Sequence, residues 1–326
     1  MCQTQEMNAV LTDRLLDLLP EQLERFNDDI SMIIWLFNNV IERFDTERLL
    51  NRLLNYFNSP VCETDSDGMG LVALCLGMIH STLNLHYEPE IACPAYYTQL
   101  LERLYYFKDT GAFDTADEDL RAVFYTLIAG IFTAHPWLSE SLNLVQNRGI
   151  LEAAADDMDN PKLKREVYLC IMQVTTGKTE VVAVLFEHEL MEIIVQDFVD
   201  SPDEGIRQDA CWILVSGAES CPVSGTKLFM KYKQLWVPFV HRMGSGNEDT
   251  FIAALLAMLN QAETLQDDYV LFNPIALLFA EAGGLEVLDQ IIQAFPFAGG
   301  IKNYFGENYD NYLARRRGLT TKKATS

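Results

Sequence analysis

A short helical segment with a large residue at one position and a small or polar residue four places later comes round four times in this chain. Its anchors are Tyr125, Leu169, Trp212 and Leu256, separated by 44, 43 and 44 residues. The fullest copy is Asp209-Ala210-Cys211-Trp212-Ile213-Leu214-Val215-Ser216-Gly217. The copy before it runs from Glu166 through Leu169 and Gln173 to Gly177, and weaker copies pair Tyr125 with Ala129 and Leu256 with Asn260. Leu76 with His80 and Trp35 with Asn39 extend the series at the less regular spacings of 49 and 41. A period of about 40–47 residues is that of helical repeats that stack into a solenoid. One unit cannot bury its apolar face alone, so neighbours must share a core.

The spacing of apolar residues agrees with this throughout. Leu15, Leu16, Leu19 and Leu23, then Ile33, Ile34, Phe37 and Ile41, fall at helical intervals. Long strand-type alternation is missing. Prolines 60, 89, 94, 136, 161, 202, 222 and 274 separate the apolar stretches. Ser201-Pro202-Asp203-Glu204 has the composition of a helix start, with a capping side chain beside a proline.

From Glu166 onward the chain resembles the importin-alpha, or karyopherin-alpha, family of armadillo-repeat receptors. The third helix of each family repeat reads roughly Glu-Ala-x-Trp-x-x-x-Asn-x-x-x-Gly. Asp209, Ala210, Trp212 and Ser216 fill those places in one repeat, and Glu166, Leu169, Gln173 and Gly177 in the one before. Glu281-Ala282-Gly283-Gly284-Leu285-Glu286 resembles the glycine pair entering the last family repeat, and Ile301-Lys302-Asn303-Tyr304-Phe305-Gly306-Glu307 resembles its end. The resemblance covers roughly 120–310, whereas 1–120 match only as generic helices. It implies an all-α, right-handed superhelical armadillo solenoid of about six or seven repeats over 1–310, followed by a basic tail over 311–326.

The resemblance also implies a function: binding a basic, nuclear-localisation-signal-like segment of a partner in a concave groove during nuclear protein import, in nucleus and cytoplasm. Residues at i and i+4 on the third helix face the same way. An indole packs on the aliphatic stem of a lysine and favours its cation. An asparagine amide donates to a peptide carbonyl and accepts from a peptide N–H. The candidate groove residues are Trp212, Asp209, Ser216, Glu166, Gln173 and Asn260. Most of the family's ladder is substituted: serine stands for asparagine at 216, and leucine for tryptophan at 169 and 256. Trp212 either lines a groove or packs between helices. The last repeat implies contact with an export receptor or a nucleoporin, or plain packing by Leu285, Leu288, Tyr304 and Phe305. The Arg/Lys-rich importin-beta-binding arm has no counterpart at the start of this sequence, so recruitment of importin-beta in the usual way is not expected. The other functional class is an armadillo scaffold with one dedicated protein partner and no transport role.

Charge bears on partners. The formal net charge is −23, which repels nucleic acid and anionic membranes and attracts basic segments. Arg315, Arg316, Arg317, Lys322 and Lys323 form a basic end to this acidic chain. They could act as a localisation signal, occupy the acidic groove, or remain solvated. No apolar run approaches the roughly 20 residues needed to span a bilayer. The seven cysteines are scattered without a CxxC pair, as expected of reduced core thiols.

No catalytic, cofactor or metal site is expected. Gly68-Met69-Gly70-Leu71-Val72-Ala73 has a GxGxxA pattern, but no strand precedes it. Asp65 and Asp67 do not complete a calcium loop. His188-Glu189 begins like a zinc-protease helix, yet position 192 is glutamate rather than histidine.

Overall fold

Capping side chains and prolines cut the chain into short helices. The structure is a computed structural model that describes residues 98, 101, 102, 104, 105, 108, 113, 114, 116, 118–134, 149–244, 248–264, 273–291, 301 and 303. These include eleven α-helices and no strand. The chain divides into two compact units, Met1–Val174 and Thr175–Ser326.

Three helices are described in the first unit: α1 (Glu118–Ala134), α2 (Gly149–Asp157) and α3 (Lys164–Thr175, ending at the unit boundary). Their core combines apolar side chains with one buried carboxylate. Phe124, Leu127, Ile128, Ile131 and Phe132 of α1 are buried, as are Val167, Tyr168 and Ile171 of α3. Phe113, Phe124 and Tyr125 meet as a ring cluster with centroids 4.6–5.9 Å apart. Asp157, at the end of α2, accepts from the Tyr125 hydroxyl at 2.9 Å and pairs with the Arg121 guanidinium. At the surface, Glu118 accepts from Asn160 at 3.0 Å and from Lys162 at 2.6 Å.

The second unit shows why a three-helix period arises. It contains α4 (Thr179–Glu187), α5 (Leu190–Asp200) and α6 (Glu204–Ser220), then α7 (Pro222–Lys231), a 3-10 turn (Lys233–Leu235) leading into α8 (Trp236–Met243), and α9 (Glu248–Thr264). α10 (Pro274–Glu281) and α11 (Gly284–Ile291) follow. First helices stack on first helices: α4 packs on α7, and α7 on α10. Second helices do the same, α5 against the 3-10 turn and α8 against α11. The third helices α6 and α9 lie side by side. Equivalent helices from successive repeats therefore form rows, the nearest-neighbour packing of an armadillo-like solenoid.

Local signals set the joints. Asp203 caps α6, its carboxylate accepting from the Gly205 N–H at 2.7 Å and the Ile206 N–H at 3.4 Å. Pro222 and Pro274 open α7 and α10, where a missing N–H costs nothing. Asn273 is buried and does two jobs. Its oxygen accepts from Ile275 and Ala276, and its amide donates to the Leu259 carbonyl of α9 at 3.0 Å. Gly225 lets α7 approach α6: a Cβ there would lie 2.6 Å from the Ala218 Cα. The glycine pair falls between α10 and α11, one helix later than the expected repeat entry. Gly283 adopts φ 87°, and a Cβ on Gly284 would meet the Phe279 ring at 2.2 Å.

Aromatic rings fill the second unit's core. Trp236 and Phe239 of α8 pack on Phe229 of α7 with centroids 5.3 and 5.4 Å away, and Phe279 and Phe251 close the cluster. The Trp236 indole N–H donates to the Phe229 carbonyl at 3.1 Å, so its polar atom is satisfied within the core. Cys170, Cys211 and Cys221 are buried free thiols, and burial pushes the first two up to about 12.

Candidate functional site

The candidate site is a stripe on two neighbouring third helices. On α6, the buried side carries Ile206, Ala210, Cys211, Ile213, Leu214, Val215, Gly217 and Ala218. Asp209, Trp212 and Ser216 share the opposite stripe and are each half-buried. On α9, Ala253, Leu256 and Ala257 are half-buried and Asn260 is exposed, while Phe251, Ile252, Ala254, Leu255, Met258 and Leu259 turn inward. The periods of the two helices match, so Trp212 and Leu256 hold the same register position, as do Ser216 and Asn260.

This arrangement has a definite chemistry. The indole and the leucine offer apolar surface to an aliphatic stem. Ser216 and Asn260 offer polar groups one helical turn further on. Every Asp and Glu of α9 lacks a cation on its own helix, because α9 contains no Lys or Arg. The sole cation of α6 is Arg207, which is tied to Glu204 and donates to the Ser201 carbonyl at 2.5 Å. Asp209 is thus the acid that the stripe itself carries, beside Trp212 and Ser216.

Glu166 and Gln173 belong to the first unit, on α3, with Leu169 between them; all three are half-buried. Glu166 accepts from the Thr126 hydroxyl of α1 at 2.9 Å, so it ties two third helices together. Tyr125 does not hold the place expected of it. It is fully buried and turned toward Asp157, and Thr126 stands on the partly open stripe instead, 43 residues before Leu169. The reason lies across the fold, where a hydroxyl on the inner side of α1 meets the buried Asp157 carboxylate beside the Arg121 guanidinium.

Other expectations fall elsewhere. His188 sits at the α4–α5 junction, its Nδ1 accepting at 3.2 Å from the N–H of Leu190, the first residue of α5. The GxGxxA segment, Asp65 and Asp67, the copies around Trp35 and Leu76, Tyr304 and Phe305, and the basic residues Arg315, Arg316, Arg317, Lys322 and Lys323 lie outside the described residues. Sequence reasoning missed a cleft of about 350 Å³ at the α4–α5 corner, with Phe186, Met191 and Leu228 as apolar lining and Glu192, Lys231 and Tyr232 at its polar side. In it Glu192 accepts from Tyr232 at 2.9 Å and Lys231 at 3.2 Å, which hold its carboxyl below the usual range.

No protein-family model matches the chain, and no curated protein matches it. Solved structures do. A designed armadillo repeat protein, determined in complex with the peptide (KR)4, is similar over 80% of this chain and 99% of its own, with 16% identity and a TM-score of 0.51. A second designed armadillo repeat protein is similar over 80% of this chain and 98% of its own, at 14% identity and a TM-score of 0.47. The first likeness and the stacked rows of helices give the same result: the fold is an all-α armadillo-like solenoid.

Proposed function

We propose that this chain is a non-catalytic adaptor that binds a basic segment of a partner protein along the α6–α9 stripe. One observation carries the reading. Asp209, Trp212 and Ser216 share a half-buried stripe of a third helix, beside the matching Leu256 and Asn260, rather than the packed side of the helix. In an armadillo array the third helices supply the inner ladder on which an extended peptide lies. The similar designed repeat protein was determined with a peptide of alternating lysine and arginine, which makes that chemistry the natural first probe. The finer reading is a divergent importin-alpha-like receptor, acting in nuclear import and moving between cytoplasm and nucleus.

The replaced ladder positions favour a narrower task than general cargo capture. Leucine at 169 and 256 cannot supply cation–π attraction, and Ser216 is too short to clamp a peptide amide as asparagine does. A dedicated partner with one well-placed basic residue fits Trp212 and Asp209 better than a long run of lysines.

Titration of the full chain with fluorescein-labelled (Lys-Arg)4, followed by anisotropy, tests this. Binding is expected at low salt and weakens as salt is raised. Trp212→Ala weakens it by about tenfold, or ~1.4 kcal/mol. Ser216→Asn tightens it by supplying the missing amide. Equal affinity for wild type and Trp212→Ala would sink the proposal.

A further inference from the structure

The second unit carries a surface of opposite character, on α7 and α8. No Asp or Glu occurs between Glu219 and Glu248, in a chain of net charge −23. That stretch contains Lys227, Lys231, Lys233, His241 and Arg242. Lys231 and Arg242 are engaged by Glu192 and Glu204 from neighbouring helices. Lys227 and Lys233 are exposed and have no ion-pair partner among the described residues.

An independent feature coincides with this one. The large hydrophobic side chains left exposed among the described residues are Val223, Met230 and Val237, 39%, 40% and 64% open. All three stand on α7 or α8. Val223, Lys227 and Met230 follow one another at i, i+4 and i+7, so they share one face of α7. Val237 and His241 do the same on α8. The buried aromatic cluster of Phe229, Trp236 and Phe239 fixes the two helices against each other beneath this surface. Single exposed apolar residues are ordinary, but their confinement to the acid-free stretch joins apolar and cationic character in one segment of the chain.

We propose that this surface docks an acidic segment of a partner protein, one in which Asp or Glu alternates with aliphatic residues. Charge complementarity selects the acids, through Lys227 and Lys233. Val223, Met230 and Val237 select the aliphatic side chains. The island is also narrow. The first and second helices flanking it carry acids and no Lys or Arg: Glu180, Glu187, Glu192, Asp197 and Asp200 on α4 and α5, and Glu281, Glu286 and Asp289 on α10 and α11. A helix is about 10 Å across, and charge is screened over about 8 Å at physiological salt. Lys227 also lines the cleft that holds Glu187, Glu189 and Glu192, so a slender segment reaching Lys227 and Lys233 meets fewer of these carboxylates than a broad anionic bilayer, which would also meet the flanking ones. This surface is separate from the α6–α9 stripe, and its chemistry is the reverse.

The test is selection of a random dodecapeptide library on the full chain, with counter-selection on Lys227→Glu/Lys233→Glu. Peptides mixing Asp or Glu with Leu, Ile, Val or Met are expected on the wild type alone. A synthesised winner, titrated by anisotropy, should bind Lys227→Glu/Lys233→Glu at least about tenfold more weakly. It should also bind Val237→Ser several-fold more weakly, although that variant keeps the charge. Circular dichroism melts confirm that these surface variants fold. The proposal is overturned if no acidic sequence is enriched over the counter-selection, or if a winner binds wild type and both variants alike. It is equally overturned if the variants instead abolish sedimentation with phosphatidylserine vesicles, or abolish a concentration-dependent dimer, since those results assign the surface to lipid or to a second copy.

Discussion

The two units solve one packing problem by different means. In the first, the helix end at Asp157 is fixed by a buried carboxylate held between a tyrosine hydroxyl and a guanidinium. In the second, the buried polar side chains among the described residues are neutral (Thr175, Ser201, Ser224, Thr226 and Asn273), and packed rings join the helices. Removing one partner of a buried ion pair strands the other, whereas trimming a ring leaves a void. The same repeat plan thus has a polar, pH-dependent joint in one unit and a joint governed by volume in the other.

Breaking the volume joint should cost most. Trp236→Ala removes the centre of the ring cluster and leaves the Phe229 carbonyl without its donor, for a loss of about 4 kcal/mol in chemical denaturation. Asp157→Ala should cost about 3 kcal/mol, since it strands both the Tyr125 hydroxyl and Arg121. If Trp236→Ala costs less than Asp157→Ala, the contrast drawn between the joints is reversed. Gly225→Ala comes next, at about 2 kcal/mol, because the neighbouring atoms are the Ala218 backbone and cannot swing aside.

The smallest effect is the most diagnostic. Burial raises the Asp157 carboxyl above its ordinary range, against the opposing pull of the Tyr125 hydrogen bond and Arg121. The native state then holds this proton more tightly than the unfolded chain. Stability from this group is present below about pH 4, the unfolded carboxyl value, and is lost as pH rises through the native value. Glu118 opposes it: hydrogen bonds from Lys162 and Asn160 lower its carboxyl, so its contribution is lost as pH falls. Asp157→Asn keeps an acceptor for Tyr125 and removes the titration. Its stability relative to wild type should therefore rise from acid to neutral pH. Melting both proteins across that range checks it, and parallel curves would show that Asp157 does not titrate in this window.

Much of the repeat plan was legible in the residues because it depends on local chemistry. Trp212 and Leu256 recur at the repeat spacing and hold equivalent places on α6 and α9, and Asp203, Pro222 and Pro274 stand at helix starts. The register of α1 was not legible. Tyr125 looks like an anchor by spacing, but its hydroxyl partner lies 32 residues away in sequence. Glu166 was equally opaque: a candidate groove acid by its spacing, it is bonded to Thr126 of α1. The α7–α8 surface escaped notice because the overall charge hides a local absence of acids, and exposure of Val237 shows only once α8 is packed.

Hydrogen exchange of the full chain, with and without (Lys-Arg)4, tests the central claim most directly. The peptide should slow exchange within Glu204–Ser220 and Glu248–Thr264 and leave Pro222–Met243 unchanged, and Trp212→Ala should erase the effect. Protection confined to Pro222–Met243, or protection of α6 and α9 that survives Trp212→Ala, would contradict the assignment of the α6–α9 stripe as the peptide-binding face.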